Sequence, residues 1–150
     1  MTKRIVILMG LQGSGKTTFY HRHLSTEYLH VNLDTLNTRH KEKLFVTACL
    51  QSGKNFAVDN TNPTKTDRAR YIIPAKEAGY QVIGYFMESK LKDCIARNAL
   101  RKGKAHIPDT AIACTSNKLE MPSLSEGFDA LYFVKNDGHM MTVSEWRESV

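Results

Sequence analysis

Cysteine is scarce in this chain and falls in no useful pattern: Cys49, Cys94 and Cys114 are three widely spaced residues with no C-x-x-C pair. An odd, scattered set argues against a disulfide framework and against zinc, and leaves small buried thiols as the reading. The six histidines likewise fall in no H-x-x-E-H or similar spacing, so they supply no metal motif. No apolar run approaches the roughly 18 residues of a membrane span. The opening M-T-K-R passes directly into an apolar run, without the charged and hydrophobic regions of a signal peptide. These absences predict a cytoplasmic protein with no membrane partner. Repeats, low-complexity segments and linkers are missing too. The 150 residues read as one domain, 1–150, long enough to bury a core and too short for a second catalytic domain.

What is present begins at once. Ile5 to Thr18 read I-V-I-L-M-G-L-Q-G-S-G-K-T-T, an apolar strand running into G-x-x-x-x-G-K-T. Glycines at 10, 13 and 15 let the backbone turn its N–H groups inward around a phosphate, at the positive end of the following helix. Lys16 is placed to reach the β- and γ-phosphates and the Thr17 hydroxyl to hold Mg²⁺. A Gly-rich turn alone would be bland, but the preceding strand and the amphipathic segment after it (Phe19, Leu24) are the context this motif requires. Gly10, Gln12, Gly13, Ser14, Gly15, Lys16, Thr17 and Thr18 are therefore the candidates for binding ATP.

The net charge of +6 is unevenly placed, with 19 basic against 9 acidic residues up to Lys118 and 2 against 6 from Leu119 onward. Such a field favours a polyanionic second substrate such as nucleic acid, and also fits a solvated surface that serves ATP alone.

Along the chain, Lys16 to about Leu24 reads as helix 1 and Tyr28 to Asn32 as strand 2, with Asp34 just past its end. Ligands of open α/β sheets bind outside the carboxyl ends of the strands, which puts Asp34 over the same crevice as the loop. Asp34 followed by Thr35 is also an ordinary helix start. An amphipathic helix spans Thr35 to Ser52 and stops at Gly53. Strand 3, Asn55 to Val58, leads into Asp59 and D-N-T-N-P-T, where a carboxylate can act on the Mg²⁺ shell. A helix from Pro63 and Thr64 through Ala78 carries Lys65, Arg68, Arg70 and Lys76. Gln81 to Met87 is strand 4, and Ser89 caps a helix from Lys90 to about Arg101. Arg97 and Arg101, four apart, share a face of it. The basic turn R-K-G-K-A-H-I-P follows, and Pro108 restarts a helix at its first position. Two helices hinged in this way read as a lid, about 90–120, that closes over ATP, although each arginine could equally sit on a solvated face. Phe128 to Val134 is strand 5, and Trp146 in the tail has no reading beyond packing. Strands alternating with helices predict a parallel five-stranded sheet covered on both faces.

Several segments together resemble the 5'-kinase domain of the polynucleotide kinase family, in its phage form and its animal polynucleotide kinase/phosphatase form. They are G-L-Q-G-S-G-K-T-T-F, Y-L-H-V-N-L-D-T-L, A-V-D-N-T-N-P-T-K-T-D-R-A-R-Y, R-N-A-L-R-K-G-K-A-H-I-P and P-S-L-S-E-G-F, spread from about Val6 to Val134. The phosphate loop is common to many families; the second and third segments are far more specific. The resemblance implies an α/β P-loop kinase fold with strand order 2-3-1-4-5 and a helical lid. It further implies Asp34 as general base, Lys16 and Thr17 on phosphates and Mg²⁺, Asp59 supporting the metal, and Arg97 and Arg101 reaching the nucleotide from the lid, with Asp34, Asn60 and Arg68 on the acceptor. Two positions depart from the family: Leu33 stands where an arginine usually precedes the base, and Asn37 where the phage enzyme has an arginine three residues after it. Both remove positive charge from the acceptor side. No D-x-D-x-T occurs, so removal of 3'-phosphates is not expected.

Three functions fit these residues. The first is ATP- and Mg²⁺-dependent transfer of phosphate to a 5'-hydroxyl of DNA or RNA, a nucleic-acid repair chemistry. The second is a kinase of the same architecture acting on a small-molecule hydroxyl, favoured by Leu33 and Asn37. The third is a non-catalytic, ATP-gated nucleic-acid-binding module, which would have no need of Asp34.

Overall fold

The first strand, β1 (Arg4–Met9), buries five consecutive apolar residues after Arg4, the pattern of a strand covered on both faces. It lies at the centre of a sheet in a computed structural model that describes residues 2–103 and 106–147. Around it run β2 (Leu29–Val31), β3 (Phe56–Asp59), β4 (Gln81–Met87), β5 (Ala130–Asn136) and β6 (Met141–Glu145), in the order β2-β3-β1-β4-β5-β6. The first five strands are parallel and keep the expected order. The sixth corrects the five-stranded, all-parallel expectation, because it returns antiparallel along β5. Its turn is an Asp-Gly pair, a strong hairpin signal: Asp137 Oδ1 accepts from His139 N at 2.9 Å and Met140 N at 2.7 Å, and Gly138 has φ 94°. Trp146 then packs edge-on to Phe86, with ring centroids 5.6 Å apart.

The helices are α1 (Lys16–Phe19), continued by a π-helical turn (Tyr20–Leu24), α2 (Leu33–Leu36), α3 (Arg39–Ser52), α4 (Lys65–Glu77), α5 (Leu91–Ala99) and α6 (Asp109–Lys118). The single helix expected over Thr35 to Ser52 is broken. Asn37 adopts φ 73°, and Thr38 caps α3 by accepting from Lys41 N at 3.1 Å. Asparagine tolerates the left-handed region, and a threonine side chain satisfies an otherwise orphaned helical N–H. Pro108 is likewise the N-cap of α6 and not its first residue. Ser89 caps nothing: Lys90 is the N-cap of α5, while Ser89 Oγ accepts from Leu11 N at 3.0 Å and donates to Met87 O at 2.7 Å.

Two apolar layers sandwich the sheet. On one face α3 and α4 bury Val46, Cys49, Tyr71 and Ile72 against β1, β3 and β4; on the other Phe19, Tyr20 and Leu24 pack on Val6 and Leu8. A small third cluster of Leu11, Cys94 and Ile112 glues α5 and α6 to the phosphate loop. Cys49 and Cys94 are the buried thiols expected, whereas Cys114 is exposed on α6.

Arg68, expected on the acceptor, faces the interior instead. Its side chain is fully buried in α4, where Nε and Nη2 donate to the two carboxylate oxygens of Glu126 at 2.8 and 3.1 Å, and Nη1 to the carbonyls of Asn62 and Glu120. Glu126 is held in turn by Ser123 N, inside a capping box. The segments R-A-R-Y and P-S-L-S-E-G-F are thus the two halves of one buried fork, which anchors the turn 124–126 to α4.

Candidate active site

The loop between β1 and α1 has the conformation its glycines allow, with φ 142°, 82° and 99° at Gly10, Gly13 and Gly15. A Cβ on Gly13 would stand 2.5 Å from the Cys94 carbonyl oxygen, and one on Gly15 would stand 2.7 Å from Asn136 Nδ2. The loop is braced from three sides. Arg97 donates to Gly13 O at 3.1 Å, Asn136 to Ser14 O at 3.1 Å, and Gln12 to Thr115 Oγ1 at 3.0 Å. Ser14 Oγ and Gln12 Oε1 are buried and lack a hydrogen-bond partner among the described residues. Such orphaned polar atoms beside a glycine cradle fit a polar ligand. Thr18 is exposed on the next helical position.

Lys16 is buried, its ammonium donating to Gly10 O at 3.0 Å and Leu11 O at 2.8 Å. Burial pulls its pKa down to about 8, against the attraction of Asp59. Thr17 Oγ1 donates to Asp59 Oδ2 at 2.7 Å, and the same oxygen meets His30 Nε2 at 2.7 Å and Asn32 Nδ2 at 3.2 Å. Burial opposes ionisation of Asp59, but the His30 and Thr17 hydrogen bonds and the Lys16 charge outweigh it and hold the carboxyl below its usual range. An ionised carboxylate beside a hydroxyl is a donor set that suits Mg²⁺.

Lys16, Thr17 and Asp59 line a crevice of about 290 Å³ together with Asn32, Leu33, Asp34, Arg39, Asn60 and, from the segment between α5 and α6, Arg101 and Ile107. Asp34 is exposed at the start of α2. Two asparagines at strand ends fix that short helix: Asn32 Oδ1 accepts from Asp34 N at 2.8 Å and Thr35 N at 3.3 Å, and Asn60 Oδ1 accepts from Leu33 N at 3.0 Å. Asn60 donates its amide to the buried Glu42 at 2.8 Å. It therefore spends both ends on the protein, although it still borders the crevice.

Arg97 and Arg101 do not share a helix face, because α5 ends at Ala99 with Leu100 as its C-cap. Arg101 turns into the crevice, while Arg97 supports the loop backbone from outside and also donates to Asn136 O at 3.2 Å. Asn98, fully buried, ties α5 to the segment before α6 by accepting from Ile107 N (3.0 Å) and donating to Ile107 O (2.6 Å). Residues 104 and 105 of the basic turn lie outside the described residues.

Sequence reasoning missed His30, Arg39, Glu42 and Tyr71. For His30 a signal existed, since Tyr28, His30 and Asn32 alternate along the strand and so share one face. Glu42 accepts from Tyr71 OH at 2.6 Å and from Arg39 Nη1 at 3.0 Å, and no local pattern marks that network.

A parallel sheet in the order 2-3-1-4-5, with a phosphate loop after β1 and a helical pair packed on that loop, defines a P-loop kinase domain. The chain belongs to the AAA domain family, whose model matches residues 5–122. It is 29% identical over 130 residues to the bifunctional polynucleotide phosphatase/kinase of Schizosaccharomyces pombe, covering 84% of this chain and 32% of that protein. It is 29% identical over 159 residues to a putative bifunctional polynucleotide phosphatase/kinase of Acanthamoeba polyphaga mimivirus, covering 98% of this chain and 37% of that one. The chain thus spans about a third of the length of these curated relatives. Among solved structures, a gluconokinase from Sinorhizobium meliloti 1021 superposes with a TM-score of 0.61 at 16% identity, covering 89% of this chain and 82% of that one, a likeness of fold. Among the described residues no helix is long and apolar enough to cross a membrane.

Proposed function

We propose that this domain transfers the γ-phosphoryl group of ATP to a 5'-hydroxyl of a polynucleotide. The observation that carries the reading is the meeting of Asp34 and Lys16 in one crevice, Asp34 on a helix pinned by Asn32 and Asn60. Loop N–H groups and Lys16 hold the phosphates, and Thr17 and Asp59 would hold Mg²⁺. Mg²⁺ there would neutralise charge on the phosphate oxygens. Asp34 accepts the proton of the acceptor hydroxyl as its oxygen bonds to phosphorus and the bond to the ADP oxygen breaks. Lys16 and Arg101 stabilise the charge spread over the transferred group, which is where catalysis by such enzymes lies. The names of the two relatives and the basic excess of the first 118 residues support a nucleic-acid acceptor.

The deciding assay is transfer of labelled phosphate from ATP to a 5'-hydroxyl oligonucleotide, with Lys16→Ala as control. Transfer is expected to drop by about 10²-fold or more in the control; equal labelling in both would sink the proposal. A second reading, a small-molecule kinase, has in its favour the apolar Leu33 in a crevice of only about 290 Å³. Salt separates the two, since oligonucleotide affinity falls steeply with ionic strength and that of a neutral acceptor does not.

A further inference from the structure

Arg39, which borders the crevice, also lines a second cavity. This groove, of about 450 Å³, runs between α3 and α4, and Arg39 lines both. Its floor is apolar (Val46, Leu50, Tyr71 and Pro74), and its rim is basic: Arg39, Lys43 and Arg70. The one acidic residue lining it, Glu42, is buried and already engaged by Arg39 and Tyr71. Arg39 is thereby held at one edge while about half of its side chain stays exposed, and Arg70 is 47% exposed, with only a 4.0 Å contact to Asp67. Lys43 is exposed and forms no ion pair among the described residues. Its lining on α3 runs from Arg39 to Leu50, about 17 Å along the helix.

We propose that the α3–α4 groove binds the single strand on the 3' side of the acceptor hydroxyl, with a base on the apolar floor and the backbone phosphates along Arg39, Lys43 and Arg70. This rests on the polynucleotide reading of the crevice. Two features select a nucleic acid over other occupants. The rim is of one sign, which complements a polyanion, and the groove shares Arg39 with the crevice where the 5' end must lie. An apolar floor with a basic rim is the arrangement by which single strands are held without base-specific contacts. The arrangement also answers the loss of acceptor-side charge at Leu33 and Asn37, because Arg39 returns a cation to the crevice from the first turn of α3.

The test compares kcat/KM for a 5'-hydroxyl octanucleotide with kcat/KM for a nucleoside 3'-monophosphate, in the unaltered protein and in Lys43→Glu/Arg70→Glu. The ratio is expected to fall about tenfold, through KM and not kcat. The slope of log affinity against log salt is expected to shrink by about 1.4, because two phosphates of the single strand are no longer neutralised. The neutral pair Lys43→Gln/Arg70→Gln should shift both in the same direction by less, and retained ATP affinity confirms that each variant is folded. An unchanged ratio and slope overturn the proposal. Anisotropy of a labelled single-stranded octamer without ATP keeps the inference separate from the activity on which it rests. If the protein phosphorylates no oligonucleotide, octamer binding that weakens in the charge-reversal variant still upholds the groove, and equal binding overturns it. Leu44 and Ile73 are exposed nearby, 58% and 57%. A dimer in gel filtration that the charge reversal dissolves would make this face an interface between copies and would overturn the proposal as well.

Discussion

Asp34 and Asp59 both follow strands, yet they sit in opposite environments. Asp34 is exposed on a helix whose N-terminal backbone Asn32 and Asn60 hold, whereas Asp59 is buried with three partners on one oxygen. A base is used as the hydroxyl proton leaves, so Asp34→Asn is expected to lower kcat by about 10²-fold or more with ATP affinity nearly unchanged. Asp59→Asn is expected to weaken Mg·ATP binding and to be partly rescued by excess Mg²⁺. ATP affinity and transfer rate measured across Mg²⁺ concentrations would expose a reversal of these roles as the opposite pattern. Lys16 adds a pH dependence. Its burial favours the neutral amine and brings its pKa to about 8, whereas bound phosphates favour the ammonium. ATP affinity should therefore weaken as pH rises through 8, and binding at pH 8 should take up about half a proton. Calorimetry in two buffers of different ionisation enthalpy reads that uptake directly. No uptake, with flat affinity from pH 7 to 9, would place the Lys16 pKa elsewhere.

At the scale of elements, the phosphate loop and α5 are a packed pair. The Gly13 Cα lies so close to the Cys94 carbonyl that any Cβ there meets backbone, at a φ of 82° that side chains disfavour. Gly13→Ala is expected to cost about 1–3 kcal/mol of stability and to loosen ATP binding, because either the loop or α5 must move. Thermal unfolding and ATP titration check this, and a variant unchanged in both would mean that α5 is free to give way. The start of α5 is accordingly fixed on the loop, and the helix ends at Ala99, before Arg101 enters the crevice. At the other end of the crevice, Asn37 breaks the chain between α2 and α3. That break lets α2 carry Asp34 over the strand ends while α3 lies on the sheet.

At the scale of the whole molecule, the alternation of strands and helices, the order of the first five strands and the phosphate loop follow from short-range properties. Apolar runs, glycine spacing and capping residues act within a few positions of each other, and so the sequence carries them openly. That Asp34, Lys16, Thr17 and Asp59 border one crevice was legible for the same reason, Asp59 ending β3 and the others lying in the segments that follow the carboxyl ends of β1 and β2. The sixth strand was also written locally, in Asp137-Gly138, but its exposed, weakly apolar residues lack the buried run that marks β1 and β3. Other features were settled by partners far along the chain. Arg68 looks like a surface cation of an amphipathic helix until Glu126, 58 residues away, turns it inward. Arg97 and Arg101 look paired until the end of α5 sends them to different places. His30 reaches Asp59 across 29 residues and Glu42 reaches Tyr71 across another 29, through side chains whose directions no propensity records. What the sequence by itself determined is the class of fold and the chemistry of the phosphate loop, because backbone conformation and burial pattern are local. Only the tertiary structure decided which cations face the crevice and which support it, because a long charged side chain goes wherever its counter-charge and its desolvation cost balance.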